Sequence, residues 1–206
     1  TTNGVLLDDK KISIILKNLS WIKFSIDAGT KKTYSKIHGC SESDFDKVLS
    51  NIKNACMYRK ENRLDITIGC QILMIPDNIE EIEELILKVK YIGVDYLVLK
   101  PYSQHPSSVN KFVLNIKKYD KKLRELSQKY SSSGFQAIYR DMAAKEIEKN
   151  EIGYSTCFGI NFFALIDACG NVIPCNLFYE NPAFYYGNIN EKYFQDIWKS
   201  QERKKI

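Results

Sequence analysis

Residues 21–27, WIKFSID, set the fold class of this chain of 206 residues. Successive side chains of a β-strand point to opposite faces, and in this stretch the even-numbered side chains are apolar whereas the odd-numbered ones from position 23 onward are polar. The stretches 65–72, DITIGCQI, and 95–100, DYLVLK, show a similar division. Each is therefore predicted to be a strand with one apolar face and one face of small or polar side chains.

Between these strands, apolar side chains recur every three to four residues, which predicts helices. The predicted helices cover 8–19, 43–58, 77–92, 119–130 and 141–149, and the predicted strands cover 21–26, 64–73, 95–100 and 135–139. Ser43 is predicted to cap the second helix, and Asp77 with Glu80 to form a capping box on the third. This βαβ order, without hairpin signals, predicts an α/β fold with a parallel sheet and right-handed crossovers.

The polar face of the predicted sheet is unusual, because parallel sheets covered by helices on both sides are apolar on both. A half-solvated sheet is one explanation, but parallel βα units seldom leave a face bare. The pattern favours the lumen of a barrel that holds a polar ligand, with the chemistry at the carboxyl ends of the strands. Those ends carry Ser25, Asp27, Gly69, Gln71, Lys100, Tyr102, Gln104 and His105.

The alternation of strands and helices stops near residue 150. Residues 160–167 and 172–175 flank Cys169-Gly170-Asn171, which is a hairpin signal, and a last helix is predicted from residue 191. We therefore predict one domain over residues 1–150 and a small β-rich module over residues 151–206.

Composition excludes several classes of protein. The net charge of +5 comes from lysines scattered along helices, which favours solvated helix faces over a nucleic-acid patch. No apolar run reaches the roughly 18 residues of a membrane span. The six cysteines show no sign of a secreted disulfide scaffold, which favours a reducing cytoplasm. The chain begins with Thr1 inside an apparent strand and turn, so we expect further sequence upstream.

Residues 24–28, FSIDA, followed by Thr33-Tyr34 and His38-Gly39, resemble the fourth-strand region of the radical S-adenosylmethionine (SAM) superfamily. Members commonly have Ser-x-Asp there, then Tyr or His, then Arg-Gly. Residues 2–7 resemble the turn after their third strand, and residues 93–95 resemble the approach to their sixth. The resemblance implies the later βα units of a partial TIM-like (β/α)6 barrel.

The tail resembles the opening of the SPASM and Twitch auxiliary iron–sulfur domains. Cys157, Gly170 and Cys175 have the spacing of that family, and residues 187–189 and 196–200 resemble segments that come after the second cysteine in its members. Thiolates are the usual ligands of such clusters, so the resemblance implies that Cys157 and Cys175 bind an auxiliary 4Fe–4S cluster. It implies that residues 151–206 are the beginning of such a domain.

Two features depart from the superfamily. Its Cys-x3-Cys-x2-Cys motif is absent from this chain, and so are the later cysteines that complete the auxiliary cluster. His38 stands where the family has arginine, so that arginine's role does not transfer. We therefore expect the chain to be an inactive fragment of an enzyme that forms a 5′-deoxyadenosyl radical, abstracts hydrogen from a small molecule or peptide, and takes electrons from a flavodoxin or ferredoxin.

The resemblance also assigns roles to the strand-end residues. Ser25 is expected to contact the polar groups of SAM, Asp27 to bind it or to order the next loop, and Gly69 to admit adenine or to form a bulge. A further group is expected to contact substrate, with its histidine as a proton acceptor, or to be an ordinary loop. That group is Lys100, Tyr102, Gln104 and His105.

The remaining cysteines and two other functions stay open. Cys56 and Cys70 lie on apolar faces and are expected in the core, whereas Cys40 is unassigned and Cys169 adjoins the hairpin turn. A non-catalytic nucleotide- or partner-binding module is one alternative. A structural zinc site formed by Cys157, Cys169 and Cys175 is the other, although it lacks the usual paired Cys-x2–4-Cys spacing.

Overall fold

A computed structural model describes residues 1–105, 108–149 and 155–206, without side chains for 146–149. The described residues form two compact units. The first comprises residues 1–104 and 109–149, and the second comprises residues 105, 108 and 155–206. The identity of the two predicted domains stays a prediction.

The first unit is built on a parallel sheet of four strands. The strands are β1 (Trp21–Ser25), β2 (Thr67–Met74), β3 (Tyr96–Pro101) and β4 (Gln136–Tyr139). Their order in the sheet is β1-β2-β3-β4, so each strand lies beside the next one in the sequence. Doubly wound sheets reverse direction at a switch point, whereas barrels add strands in sequence order. The parallel α/β prediction is confirmed, and the order is that of consecutive barrel units.

Helices connect and cover these strands. They are α1 (Asp9–Ile15), α2 (Lys31–His38), α3 (Glu42–Glu61), α4 (Ile82–Ile92), α5 (Lys117–Tyr130) and α6 (Asp141–Lys149). The sequence did not predict α2. The predicted helix over 8–19 is shorter, because α1 tightens into a 3₁₀ turn at Leu16–Asn18.

Two predicted helix starts are wrong. The hydroxyl of Ser41, not Ser43, caps α3 by accepting a hydrogen bond from the backbone N–H of Ser43 at 3.3 Å. The predicted Asp77–Glu80 capping box does not form. Asn78 instead precedes a 3₁₀ turn, Ile79–Glu81, that leads into α4, and its side chain bonds to loop backbone because it is fully buried.

The core of the first unit lies between one face of the sheet and the helices. That face contributes the side chains of Ile22, Phe24, Ile68, Cys70, Ile72, Met74, Leu97 and Leu99, all buried. Leu85 and Ile86 of α4 and Val48 and Ile52 of α3 belong to the same cluster. Burying each such aliphatic side chain contributes about 1.5–3 kcal/mol, so this face fixes the register of the strands.

The opposite face, which we call the open face, is more polar and less buried. Its residues are Trp21, Lys23, Ser25, Thr67, Gly69, Gln71, Leu73, Tyr96, Val98, Lys100, Gln136 and Ile138. Apart from buried Gly69, these residues range from half-buried to exposed. On the described strands the apolar face is buried as predicted. The opposite face is only partly polar, because it also carries Trp21, Leu73, Val98 and Ile138.

The second unit contains a small antiparallel sheet of β5 (Leu165–Ile166), β6 (Asn171–Ile173) and β7 (Gly187–Asn188). Two short helices follow, α7 (Phe194–Trp198) and α8 (Gln201–Lys204). Its core is Val172, Tyr186 and Ile197. The predicted hairpin is confirmed, but its first strand is shorter than predicted because Phe158–Asn161 forms a 3₁₀ turn. The sequence did not predict β7.

Candidate cofactor and cluster sites

Ser25 is the last residue of β1 and lies on the open face, where its neighbour on β2 is Gln71. It is half-buried. Within the part of the chain that the structure describes, its hydroxyl makes no hydrogen bond. A small hydroxyl in this position has both its proton and its lone pairs available to a polar ligand.

Asp27 follows β1 and joins it to the end of β2. Its Oδ1 accepts a hydrogen bond from the backbone N–H of Leu73 at 2.8 Å. Its other carboxylate oxygen lies 4.0 Å from Nε2 of His38. Burial raises the pKa of the Asp27 carboxyl, against the lowering effects of the Leu73 hydrogen bond and of His38. The geometry gives Asp27 the loop-ordering contact that the sequence offered as one of two roles.

Asn78 completes this junction from the following connection. Its Nδ2 donates to the backbone carbonyls of Asp27 at 2.9 Å and Leu73 at 2.8 Å, and its Oδ1 accepts from the N–H of Ile75 at 2.9 Å. All three of these bonds involve a side chain with no exposed surface. Because buried polar groups are costly when unpaired, the carboxyl ends of β1 and β2 are held together at this point. Sequence reasoning missed Asn78, since an Asn after Pro-Asp indicates only a turn.

Gly69 lies in the middle of β2 and is covered by the ring of Tyr96 on β3. A Cβ atom at Gly69 would lie 2.0 Å from Cζ of that ring, far inside van der Waals contact. The absence of a side chain therefore serves this ring packing. An adenine above Gly69, as the sequence predicted, requires Tyr96 to move or to stack against it.

Lys23 is a further polar residue of the open face that sequence reasoning left out of the site. Its Nζ donates to Oε1 of Gln71 at 3.0 Å, and Gln71 is also the neighbour of Ser25. The alternation of the strand placed Lys23 on the correct face. No further signal in the sequence indicated the pairing across strands.

The four residues predicted to contact substrate are divided between the two units, with Lys100, Tyr102 and Gln104 in the first. Lys100 is half-buried on the open face beside Leu73. The ring of Tyr102 packs edge to face against the ring of Phe112, with 5.4 Å between the ring centroids. Gln104 holds its own loop, since its Nε2 donates to the carbonyl of Asn110 and its Oε1 accepts from the N–H of Phe112.

His105 belongs to the second unit. Its Nε2 lies 2.9 Å from the carbonyl oxygen of Asn176, which is one residue after Cys175. The predicted role of His105 as a proton acceptor for substrate stays a prediction.

Cys157 and Cys175, the predicted cluster ligands, both lie in the second unit as free thiols. Cys157 is exposed and starts the 3₁₀ turn Phe158–Asn161. A Cβ at Gly159 would be 3.5 Å from the sulfur of Cys157 and 3.1 Å from the ring of Phe163, so glycine leaves room for both. Cys175 is half-buried and lies two residues after the end of β6, and its sulfur lies 3.3 Å from Oδ1 of Asn176.

The chemistry of this donor set fits part of an iron–sulfur site. Two uncrosslinked and accessible thiols supply two of the thiolates that such clusters bind. Among the described residues, no group of three or more His, Cys, Asp or Glu side chains is arranged to hold a metal ion.

The turn of the β5–β6 hairpin is built by polar side chains around Gly170, whose φ of 87° is the left-handed region that favours glycine. Oδ1 of Asp167 accepts hydrogen bonds from the N–H groups of Cys169 and Asn171. Those bonds and the Asn171 amide hold the pKa of Asp167 below its usual value. The carbonyl of Cys169 accepts from the amides of Asn188 and Asn190. This network fixes the backbone of the hairpin that precedes Cys175.

The cysteines of the first unit have a different environment. Cys56 and Cys70 lie in the core, and burial raises the pKa of Cys56 to about 11 and that of Cys70 further still. Burial also raises the pKa of half-buried Cys40. A thiol kept protonated is a poor metal ligand, so these three cysteines match a structural role.

A crevice of about 920 Å³ lies at the other end of the strands. Its walls include the segment that leads into β2, the approach to β3, and Arg59. Arg59 pairs with Asp95 there and donates to the carbonyls of Ile66 and Gly93. The amino-terminal ends of barrel strands usually serve stability, which matches an arginine engaged by the backbone.

Comparisons with known proteins bear on the fold of the chain and on the segment that contains Cys157 and Cys175. A model of the SPASM family, described as an iron–sulfur cluster-binding domain, matches residues 157–206. Two solved structures of SuiB from Streptococcus suis are similar in fold. The form bound to the precursor peptide SuiA has 17% identity, a TM-score of 0.70 and coverage of 97% of this chain and 47% of SuiB. The form bound to S-adenosylmethionine has 15% identity and a TM-score of 0.68, with the same coverage.

The native structure of anSMEcpe with bound AdoMet is also similar, with 18% identity, a TM-score of 0.62 and coverage of 98% of this chain and 57% of that one. The present chain thus spans about half the length of the structures that it matches. A search of curated protein sequences gave no significant match. No helix within the described ranges is long and apolar enough to cross a membrane. These findings confirm the resemblance to radical SAM enzymes and to the SPASM domain.

Proposed function

We propose that this chain is part of a radical SAM enzyme that abstracts a hydrogen atom from its substrate and carries an auxiliary iron–sulfur cluster in its second unit. One observation carries the proposal. The same chain combines a sheet of consecutive parallel βα units, similar in fold to proteins solved with S-adenosylmethionine, with a segment that matches the SPASM model. In such enzymes S-adenosylmethionine, when bound and reduced, supplies a 5′-deoxyadenosyl radical.

The residues at the carboxyl end of β1 are proposed to bind S-adenosylmethionine. The available hydroxyl of Ser25 contacts polar groups of the cofactor, and Asp27 holds the loop behind it through the N–H of Leu73. Tyr96, which covers Gly69, offers an aromatic surface near the middle of the sheet.

The auxiliary cluster is proposed to bind Cys157 and Cys175. Each thiol becomes a thiolate ligand, and a bound cluster supplies electron transfer or a position that binds substrate. Gly159 and the hairpin turn around Gly170 serve to place the two cysteine backbones. Cys169, whose backbone groups are held by Asp167 and Asn188, is proposed as a turn residue.

A peptide is the substrate class that we propose. SuiB, which is similar in fold, was solved with a precursor peptide. The open face offers accessible polar side chains, among them Lys23, Ser25, Gln71 and Lys100, rather than a closed apolar pocket. Lys100, Tyr102 and Gln104 are proposed to contact the substrate, with His105 as a proton acceptor. A flavodoxin or ferredoxin in a reducing cytoplasm is proposed as the electron donor.

Cysteine substitutions in the longer protein test the auxiliary cluster. After anaerobic reconstitution, Cys157→Ala and Cys175→Ala are each expected to lower bound iron by about one cluster per protein and to reduce absorbance near 400 nm, because each removes a ligand thiolate. Cys169→Ala and Cys40→Ala serve as matched controls and are expected to keep the iron content. Iron and acid-labile sulfide per protein are the measurements.

The same series separates the alternatives. A colourless protein with stoichiometric zinc that is lost in Cys157→Ala, Cys169→Ala and Cys175→Ala would establish the zinc site instead. A protein that binds S-adenosylmethionine but yields no 5′-deoxyadenosine with a strong reductant would support the non-catalytic binding module. Unchanged iron in both Cys157→Ala and Cys175→Ala would disprove the ligand assignment.

A further inference from the structure

The connection from β1 to α2 is hydrogen-bonded to the carboxylate of Glu81, a residue from a distant part of the chain. Glu81, at the end of the 3₁₀ turn before α4, reaches the loop that follows Asp27. Its Oε2 accepts hydrogen bonds from the backbone N–H groups of Gly29 at 2.9 Å and Thr30 at 3.0 Å. Its Oε1 accepts from the hydroxyls of Thr30 at 2.9 Å and Thr33 at 2.5 Å. A single side chain therefore satisfies four donors around the start of α2.

The physical strength of this contact exceeds that of an ordinary loop contact. Hydrogen bonds to an ionised carboxylate are roughly twice as strong as neutral ones, and the start of a helix favours negative charge. Gly29 also permits the approach, because a Cβ there would lie 2.6 Å from the backbone oxygen of Glu81. The Gly29–Thr33 segment and Glu81 are thus fitted to each other in backbone and side chain.

The neighbouring glutamates do not share this role. Glu80 pairs with Lys122, Glu83 with Lys129 and Glu84 with Lys88, and all three pairs lie at the surface. Exposed pairs of this kind contribute about 0–1 kcal/mol. Of these four glutamates, Glu81 is the one whose carboxylate reaches the β1–α2 connection.

The contact bears on Ser25 through the chain itself. The loop held by Glu81 starts directly after Asp27. Asp27 is itself held by Leu73 near the end of β2 and by Asn78 in the β2–α4 connection, to which Glu81 also belongs. The backbone after Ser25 is therefore fixed by side-chain bonds at Asp27, Gly29 and Thr30. A loop with these bonds removed samples other conformations, and ordering it again reduces ligand affinity.

We propose that Glu81 is a positioning residue for S-adenosylmethionine: its carboxylate, together with Asp27, holds the β1–α2 loop in the conformation in which Ser25 binds the cofactor. Glu81 itself contacts no cofactor atom. This inference rests on the proposed function, and it adds a residue that the sequence motif around Ser25 and Asp27 does not contain.

The test compares Glu81→Ala and Glu81→Gln with the surface control Glu80→Gln in the longer, anaerobically reconstituted protein. Calorimetric titration with S-adenosylmethionine is expected to give a dissociation constant at least tenfold higher for both Glu81 variants and an unchanged one for the control. Added acetate is expected to restore affinity to Glu81→Ala, because acetate supplies the missing carboxylate to the four donors. Hydrogen exchange at the Gly29 and Thr30 amides should quicken in both variants.

The outcomes are distinct. Wild-type affinity in Glu81→Ala, with faster exchange at Gly29 and Thr30, would overturn the positioning role. Weakened affinity that follows a lowered melting temperature and that acetate does not restore would also overturn it, since the role would be only structural. If Glu81→Ala does not fold, Glu81→Gln decides by the same affinity comparison. No binding of S-adenosylmethionine by the wild type would refute the proposed function, and this inference with it.

Discussion

Asp27 carries a carboxyl group that the fold has largely removed from water. Its side chain keeps 17% of its accessible surface, and one of its oxygens is used by the N–H of Leu73. Burial disfavours the charged form, which is why its pKa is raised. The folded protein therefore binds this proton more tightly than the unfolded chain does. The stabilising contribution is complete below the ordinary pKa of about 3.8 and is lost as the pH rises through the raised folded value.

Asp27→Asn is expected to remove the free-energy cost of burying a charged carboxylate at this position. Asparagine keeps an oxygen for the Leu73 N–H but carries no charge, so the free energy of unfolding at pH 7 should equal or exceed that of the wild type. The slope of stability against pH above the ordinary carboxyl pKa of about 3.8 should become shallower. Urea unfolding at several pH values measures both effects. A variant that is less stable at pH 7 would show that the charge itself, through His38, stabilises the fold.

Strand β3 packs beside β2 with one aromatic ring placed directly over a glycine. The ring of Tyr96 lies on Gly69, its direct neighbour across the sheet, and leaves no space for a Cβ. Gly69→Ala is expected to lower the free energy of unfolding by about 1–3 kcal/mol, because overpacking displaces the ring. In a Tyr96→Ala background, Gly69→Ala should lower the free energy of unfolding much less. A double-mutant cycle measures this coupling between Gly69 and Tyr96.

The matched control for this pair is Gly134→Ala, where nothing lies within 4 Å of the added Cβ. It should change stability by only a few tenths of a kcal/mol. Equal costs of Gly69→Ala in the wild-type and Tyr96→Ala backgrounds would contradict the steric explanation.

The elements that the sequence predicted correctly are those with a strong hydrophobic period. In β1 and β2 every second side chain is apolar and buried, and α4 has a continuous apolar stripe, so the hydrophobic period identifies them. Helix α2, KKTYSKIH, was missed because only Tyr34 is buried; its ends are instead set by the Thr30 cap and by Gly39 in the left-handed region. β7 was missed because two residues carry no period.

The candidate site was less predictable for a related reason. The residues on strands, such as Ser25 and Gly69, follow from alternation and from the family motif. Asn78 and Glu81 act on segments that lie about 50 residues away in the chain, through side-chain bonds to backbone. Such contacts depend on how two loops pack against each other in the fold, and a local sequence pattern does not predict that packing.

At the scale of the whole molecule, the distribution of cysteines limits what this chain can do alone. Its six cysteines are residues 40, 56, 70, 157, 169 and 175, and no three of them have the Cys-x3-Cys-x2-Cys spacing. Two are buried in the core of the first unit, whereas Cys157 and Cys175, both accessible, lie in the second. Two of the ligands proposed for an auxiliary cluster are thus present, whereas the Cys-x3-Cys-x2-Cys motif of the superfamily that the chain resembles is absent from these residues.

We therefore expect the 206 residues by themselves to produce no 5′-deoxyadenosine. The chain is reconstituted anaerobically with iron and sulfide, supplied with S-adenosylmethionine and dithionite, and assayed by chromatography beside the longer protein. The isolated chain should match the protein-free control because its 206 residues lack the Cys-x3-Cys-x2-Cys motif of the superfamily that it resembles, whereas the longer protein should form product. Product from the isolated chain above that control would mean that another set of its side chains supports the cleavage, and the assignment of the chemistry to residues outside this chain would be wrong.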